Sequence, residues 1–225
     1  PNQLLENCDL YTIWLHGGFQ PYTTSELINL LADLKPLTPR YCRINRIIRD
    51  IPSTYVVAGN RRTSLRQDVQ KEMKRRGVAC QCIRCREVRE RRVDWRELEF
   101  HDLVYPAGLA EEHFLSFDTP DDHLAGFLRL SLPLGLQPIL GMKDLIDAAI
   151  IREVHVYGQS VPLGEDQSGA AQHIGLGTML IEKAVEIARL HKYTRLAVIA
   201  AVGTRPYYQE RGFRSGELFF IRDIA

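Results

Sequence analysis

Four short segments between Trp95 and Gly158, WRELEFHDLVY, HFLSFDT, HLAGFLRLSLP and AIIREVHVYG, alternate apolar and polar residues and are separated by Gly, Pro and Asp. A period of two sends successive side chains to opposite faces of a strand, and the turn residues between the runs are where strands reverse. This half of the chain is therefore expected to build a sheet from neighbouring antiparallel strands. The pattern then changes. After a polar stretch, GTMLIEKAVEIARL spaces its apolar residues as an amphipathic helix does, and RLAVIAAV, TRPYYQERGF and GELFFIRDI follow. Antiparallel strands followed by strand–loop–helix–strand–helix–strand make an α+β architecture. Residues 134–148, LGLQPILGMKDLIDA, are expected to be an insertion or mobile connector. No internal repeat or low-complexity stretch interrupts the pattern.

The part before about residue 90 reads differently. TTSELINLLADLKP opens on hydroxyl caps, places Leu27, Leu30, Leu31 and Leu34 on one helical face, and stops at Pro36. STYVVAG reads as a short strand. SLRQDVQKEMKRRG reads as a helix with Leu65, Val69 and Met73 on one side, closed by Gly77. The pattern is α/β with too few strands for a complete sheet, as the tail end of a larger α/β domain would be. A chain starting at Pro1 fits a fragment or a processed product.

Charge is uneven. Residues 40–92 hold 16 Lys or Arg against 5 Asp or Glu, whereas the remainder holds 13 against 23. A basic window of that size in an almost neutral chain is the footprint of a polyanion-binding face, or else a solvated surface. No apolar run approaches the roughly 18 residues of a membrane span, and no secretory leader is evident. A soluble, cytoplasmic protein without membrane partners is expected.

The polar stretch before the helix ends in Gln172-His173-Ile174-Gly175-Leu176-Gly177-Thr178. A dinucleotide turn would place a third glycine where Leu180 stands, close behind its strand. A phosphate-binding P-loop would have Lys where Thr178 stands. Both readings fail. What remains is a glycine turn whose N–H groups face one spot ahead of a helix N-terminus, a geometry suited to a pyrophosphate.

Q-x-x-G-x-G after a strand, with Y-x-x-x-G-F some thirty residues later, resembles the GNAT acetyltransferases. The resemblance implies that Gln172, His173, Ile174, Gly175, Leu176, Gly177 and Thr178 hold the pyrophosphate of acetyl-CoA. It implies that the strand Val154–Tyr157, which includes His155, Val156 and Tyr157, splays open so that its backbone binds the pantetheine arm. It also implies that Tyr208, four residues before Gly212-Phe213, protonates the departing CoA thiolate. Tyr207 either shapes that site or anchors its helix, and His155 is as well explained as a packed structural histidine.

Longer stretches, among them LEFHDLVYPAGLAEEHFLSFDTPDDHLAGFLRL and GTRPYYQERGF, resemble the family of the Elongator catalytic subunit. PYTTSELINLLADLKPLTPRYCRINRIIRDIPSTYVVAGNRR and CIRCREV resemble the region between that family's radical-SAM core and its acetyltransferase domain. The family uses radical SAM chemistry and acetyl-CoA to modify the wobble uridine of tRNA. Residues 1–77 are then expected to be the C-terminal part of a radical-SAM domain, 78–92 a zinc-binding basic linker, and 93–225 a GNAT acetyltransferase domain. Elongator-type accessory subunits belong to eukaryotic members, and nothing in this sequence calls for them.

The cysteines are Cys8, Cys42, Cys80, Cys82 and Cys85. None provides the C-x-x-x-C-x-x-C triad of a radical-SAM cluster, so SAM and a [4Fe–4S] cluster are expected only in a full-length parent. Cys80, Cys82 and Cys85 suit a tetrahedral zinc, with a redox role as the competing reading. Cys42, Cys8, His16 and His101 all qualify by type as a fourth ligand. Arg46, Arg49, Arg61, Arg62, Lys74, Arg75 and Arg76 form, as a set, the expected phosphate contacts to tRNA. The sequence thus reads as the acetyl-CoA half of a tRNA wobble-uridine-modifying enzyme. Two rivals remain: a protein-lysine acetyltransferase, and a non-catalytic RNA-binding module with a GNAT fold.

Overall fold

The computed structural model describes residues 3–49, 51–89, 91, 93–135, 141–158 and 175–225. Its contacts divide the chain into two bodies, Pro1–Cys85 and Arg86–Ala225. The division falls inside the stretch expected to be a linker.

In the first body, β1 (Gln3–Leu5) pairs antiparallel with β2 (Val56–Gly59). Four helices accompany the ribbon: α1 (Asp9–Leu15), α2 (Thr24–Leu34), α3 (Leu65–Arg75) and the short α4 (Ile83–Arg86), which ends at the division. A capping box starts α2. The Thr23 hydroxyl accepts the Glu26 N–H at 3.2 Å, and the Glu26 carboxylate accepts the Thr23 N–H at 2.7 Å. Ala32 of α2 and Leu65, Val69 and Met73 of α3 form one buried cluster, flanked by Ile28 and Leu31. The buried stripe of α2 is therefore Leu27, Ile28, Leu31 and Ala32, while Leu30 and Leu34 are exposed. Small Ala32 sets this phase, because it lets α3 approach closely and so turns the buried face toward Ile28 and away from Leu30 and Leu34. Asn60, fully buried, closes the end of β2. Its side-chain oxygen accepts from the Thr24 hydroxyl at 3.0 Å, and its amide donates to the Arg62 carbonyl at 3.0 Å.

The second body is a seven-stranded sheet in the order β3-β4-β5-β6-β7-β9-β8. Its first four strands, β3 (Glu99–Ala107), β4 (Ala110–Asp118), β5 (Leu124–Pro133) and β6 (Ala148–Val156), form the expected antiparallel meander. Helix α5 (Leu176–Leu190) then carries the chain back, so β7 (Arg195–Val198) runs parallel to β6. Helix α6 (Arg205–Gln209) leads to β8 (Arg214–Ser215) and β9 (Phe220–Asp223), and β9 completes the sheet by pairing antiparallel with both β7 and β8. Leu176, Leu180, Ile181, Ala184, Val185 and Ala188 of α5 are buried against Leu115, Leu128, Leu130 and Ile151 of the sheet. Burying each of the larger aliphatic side chains contributes about 1.5–3 kcal/mol. At the start of this body the Arg86 guanidinium donates to Asp118 at 3.0 Å, with both side chains almost fully buried.

The connector 134–148 is tied down at its end. Residues 136–140 lie outside the described residues, but Lys143–Leu145 form a helical turn and Asp144 is buried. Its carboxylate accepts the N–H groups of Leu218 at 2.8 Å and Phe219 at 3.0 Å. Burial alone would raise the Asp144 pKa, yet these backbone donors hold it below the usual carboxylate range.

Candidate functional site

Strands β6 and β7 pair only from Ala148–Arg195 to Ile151–Val198. β6 then continues through Arg152, Glu153, Val154, His155 and Val156 paired with β5 alone among the described strands. The parting coincides with a bulge, because Arg129 of β5 faces Glu153 while Leu130 faces Ile151, leaving Arg152 as the extra residue. Among the described residues no strand pairs with the β6 edge beyond Ile151. Such an edge can hydrogen-bond an extended amide-bearing chain as an added strand would.

The side chains of this segment serve the frame. Val154 and Val156 pack against the main core. His155 faces the other way, nearly coplanar with Phe127 at 5.8 Å between ring centres, with Tyr157 at 5.2 Å. Its ring is half exposed and lies 3.6 Å from the Glu153 carboxylate. Geometry thus gives His155 a packing role. Gly126 of β5 makes room beside it: a Cβ there would stand 3.1 Å from both the His155 carbonyl oxygen and a Leu176 methyl.

The N-terminus of α5 lies beside this opening, since Leu176 approaches Gly126 and Gly177 approaches Val156. Gly175 is its cap residue, at φ +73°, a left-handed conformation that suits glycine, and among the described residues no side chain caps the helix end. The first intrahelical bond is Met179 N–H to the Gly175 carbonyl. The amides of Leu176, Gly177 and Thr178 therefore have no acceptor within the helix, and the helix dipole adds positive potential there. Gln172, His173 and Ile174 of the expected turn lie outside the described residues.

Arg211, which the sequence reading passed over, reinforces that potential. Its guanidinium lies 3.5 Å from the centre of the Tyr207 ring and donates to the Thr178 hydroxyl at 2.8 Å and the Tyr207 carbonyl at 2.6 Å. A cation held at a helix N-terminus is unfavourable by itself and becomes favourable once an anion joins it. The signal was available: an arginine one residue before the Gly212-Phe213 pair falls on the C-terminal side of α6, aimed back at α5.

The two tyrosines of α6 occupy different places. The Tyr207 hydroxyl stands where a Cβ on Gly177 would go, so these residues are mutually exclusive in bulk. Tyr208 is buried in the core, with Phe213 and Tyr207 both edge-on to its ring at 5.4 and 5.3 Å. Burial is the first cause raising the pKa of each phenol above its ordinary value, opposed by Arg211. Both hydroxyls therefore keep their protons at neutral pH.

The thiols of Cys80, Cys82 and Cys85 gather in the first body, with sulfur atoms within 4.8 Å of one another. Cys82 is fully buried, and hydrogen bonds from Cys80 and Cys85, helped by the Ile44 and Cys85 backbones, push its pKa down. The same hydrogen bonds push Cys85 up. We read one proton-sharing group whose acceptor is Cys82. The buried Lys35 ammonium lies 3.7 Å from the Cys85 sulfur. Three convergent thiols with a nearby cation fit a thiolate-bound zinc. Among the described residues no fourth ligand joins the group. Of the candidates, Cys8 donates to the Leu5 carbonyl, the His16 ring bonds the Thr12 carbonyl, and His101 lies beside Glu99. Cys42 contributes its carbonyl oxygen, which accepts the Ile83 N–H at 2.9 Å.

The expected phosphate contacts also separate. Arg46, Arg49, Arg61, Arg62, Lys74 and Arg75 are exposed. Arg46 and Arg49 line a cavity of about 510 Å³ with Ile47 and Ile48. Arg75 forms a two-pronged bond to Glu72, at 2.8 and 2.7 Å. Arg76 is committed within the fold, bonding Glu72 and Asp33 at 2.6 Å each and Asn29 at 2.5 Å. It clamps α3 to α2.

Residues 1–75 match the Radical_SAM C-terminal domain family. The tRNA uridine(34) acetyltransferase of Dehalococcoides mccartyi is 39% identical over 217 residues, covering 95% of this chain and 47% of that protein. Elongator complex protein 3 of Drosophila melanogaster is 36% identical over 232 residues, covering 100% of this chain and 41% of the relative. The solved structure of archaeal Methanocaldococcus infernus Elp3 with an N-terminal deletion superposes with a TM-score of 0.86 at 31% identity, covering 99% of this chain and 54% of that one. The chain thus spans about half the length of the relatives it matches. It belongs to the family of Elongator complex protein 3 and the tRNA uridine(34) acetyltransferases.

Proposed function

We propose that this chain carries the acetyl-CoA-binding part, and a share of the tRNA-binding surface, of a cytoplasmic tRNA wobble-uridine acetyltransferase. The carrying observation is the opening between β6 and β7 beside an uncapped α5 N-terminus that already holds a cation. A pyrophosphate needs convergent N–H groups and positive charge. Leu176, Gly177, Thr178 and Arg211 supply them, and Gln172, His173 and Ile174 are proposed to complete the turn. The pantetheine arm, an extended chain with two amides, matches the β6 edge beyond Ile151, where His155, Val156 and Tyr157 are proposed to contribute backbone. Acetyl-CoA supplies the acetyl group as a thioester. Tyr208 is proposed to give its proton to the thiolate that leaves, and Tyr207 to hold the helix end in shape.

Cys80, Cys82 and Cys85 are proposed to hold zinc, which would staple α4 to the preceding loop. SAM and [4Fe–4S] chemistry is assigned only to longer chains of the family, and no step here runs through it. The exposed basic residues favour tRNA over a protein acceptor, because a peptide substrate has no need of so large an excess of cations.

Calorimetric titration with acetyl-CoA tests the cofactor site. Gly175→Val should weaken binding at least about tenfold, since a β-branched residue resists the left-handed conformation that aims the turn. Equal affinity in the two proteins overturns the assignment. Acetyl-CoA turnover measured with and without tRNA then tests the acceptor, and turnover indifferent to tRNA refutes it.

A further inference from the structure

Away from that opening, the second body contains another cluster built from three elements. His113 of β4 is almost fully buried, with its Nδ1 2.9 Å from the Asp102 carboxylate of β3. That contact orients the ring: Nδ1 bonds the Asp102 carboxylate, and in the neutral imidazole the lone pair of Nε2 faces Glu111. Nε2 points at Glu111, 3.4 Å away. His191, directly after α5, sets its Nδ1 3.8 Å from the same Glu111 oxygen, and its ring meets His113 edge-on at 5.6 Å. The three ligand atoms lie within 4.8 Å of one another.

Zinc bonds of about 2.0–2.2 Å in a tetrahedron put neighbouring ligand atoms about 3.3–3.5 Å apart. The spacings to Glu111 are at, or a few tenths beyond, that edge. We propose that Glu111, His113 and His191 form a second divalent-metal site suited to zinc, with Asp102 orienting His113 from behind. Two imidazoles and one carboxylate make a hard-to-borderline donor set, distinct from the three thiols of the first body. Glu111 and His191 are each about two-fifths exposed, so the ion has a route in and a fourth position for water.

Helix α5 is 15 residues long, and this site is at its C-terminal end. The 1.5 Å rise per residue separates it from the anion-facing N-terminus by about 22 Å. A metal here acts as a clip. It ties the β3–β4 hairpin to the last turn of α5, fixing from behind the helix whose front end carries the cofactor site. The proposal uses only the fold, so it stands or falls independently of acetyl-CoA binding.

The test uses the whole chain, stripped of metal, dialysed against Zn²⁺ and analysed for zinc beside His191→Ala and Glu111→Gln. Both positions are partly exposed, so the variants fold, and circular dichroism checks this. All three proteins keep Cys80, Cys82 and Cys85, so differences report on the new site. Each variant should retain about one zinc fewer per chain than wild type. Wild type at a hundredfold excess of Zn²⁺ over its Kd should gain about 5–10 °C in melting temperature that the variants lack. Co²⁺ should give a wild-type-minus-variant spectrum without a thiolate charge-transfer band. Equal zinc content and equal melting gain in all three proteins overturn the proposal, as does a thiolate band in that difference spectrum.

Discussion

Gly177 and Tyr207 should be energetically coupled, and the structure sets both the sign and the size. Gly177 is the second residue of α5, where alanine would ordinarily stabilise the helix by up to about 1 kcal/mol. Here a Cβ would occupy the position of the Tyr207 hydroxyl. The next atoms, Tyr207 Cζ at 3.5 Å and a Val156 methyl carbon at 3.7 Å, are at ordinary contact. One oxygen atom therefore makes the whole collision. Gly177→Ala alone should destabilise by about 1–3 kcal/mol through overpacking. Tyr207→Phe alone should cost about 1 kcal/mol for the lost hydroxyl bond to Thr178. With the hydroxyl gone the methyl fits, so adding Gly177→Ala to Tyr207→Phe should be neutral or slightly stabilising. The double-mutant cycle should show a coupling of about 1–4 kcal/mol, against nearly zero for independent sites. Urea unfolding followed on the α5 body measures it, provided the slope with denaturant is unchanged. Additive effects within about 0.5 kcal/mol would refute the reasoning, because the strain would then lie elsewhere.

Asp118→Ala should destabilise the second body by about 3 kcal/mol, since it removes the buried carboxylate that bonds the Arg86 guanidinium and leaves the more exposed Asp122 at 3.6 Å; a loss below about 1 kcal/mol in urea titration contradicts this. Cys82→Ser should release zinc from the first body and lower its melting temperature, and metal analysis finding no thiolate-bound zinc in wild type removes the idea. Charge reversal at Arg61, Arg62 and Lys74 should weaken tRNA binding and reduce the log–log salt slope by about 0.7–0.9 per lost phosphate contact; an unchanged slope makes the window a solvated face. Tyr208→Phe should lower tRNA-dependent turnover roughly 10²-fold at nearly constant acetyl-CoA affinity, and full turnover removes the proton-donor role.

The sheet was legible because its signal is local. Alternation, turn residues and a switch to helical spacing fix the β3–β6 meander and α5 without reference to anything distant. The entry into α5 at Gly175 was legible because glycine readily takes the left-handed conformation found there, whatever surrounds it. What stayed hidden depends on partners far along the chain. Leu30 and Leu34 looked like core and are exposed, since α3 meets α2 at Ala32. Arg76 looked like one more free cation, yet Asp33 and Asn29, some forty residues earlier, engage it. The Glu111–His113–His191 cluster has no sequence signature, because its members come from a hairpin and from the end of a helix eighty residues away.

The change from antiparallel to parallel pairing at β6 also explains why the β6–β7 opening lies where it does. Parallel pairing needs a crossover, and the crossover helix necessarily begins beyond the C-terminal end of β6. Its positive end therefore falls at the level where β6 loses its partner. One topological step thus sets a strand edge that no described strand pairs next to helix amides that have no acceptor within the helix, without any side chain. Side chains then refine it: the Arg152 bulge bends β6 at the parting, Gly126 lets Leu176 close on β5, and Arg211 adds positive charge at the helix end. Removing Arg211 should accordingly weaken the cofactor more than it harms the fold, whereas removing Gly126 should do the reverse, because a Cβ there meets backbone at 3.1 Å and backbone cannot move aside.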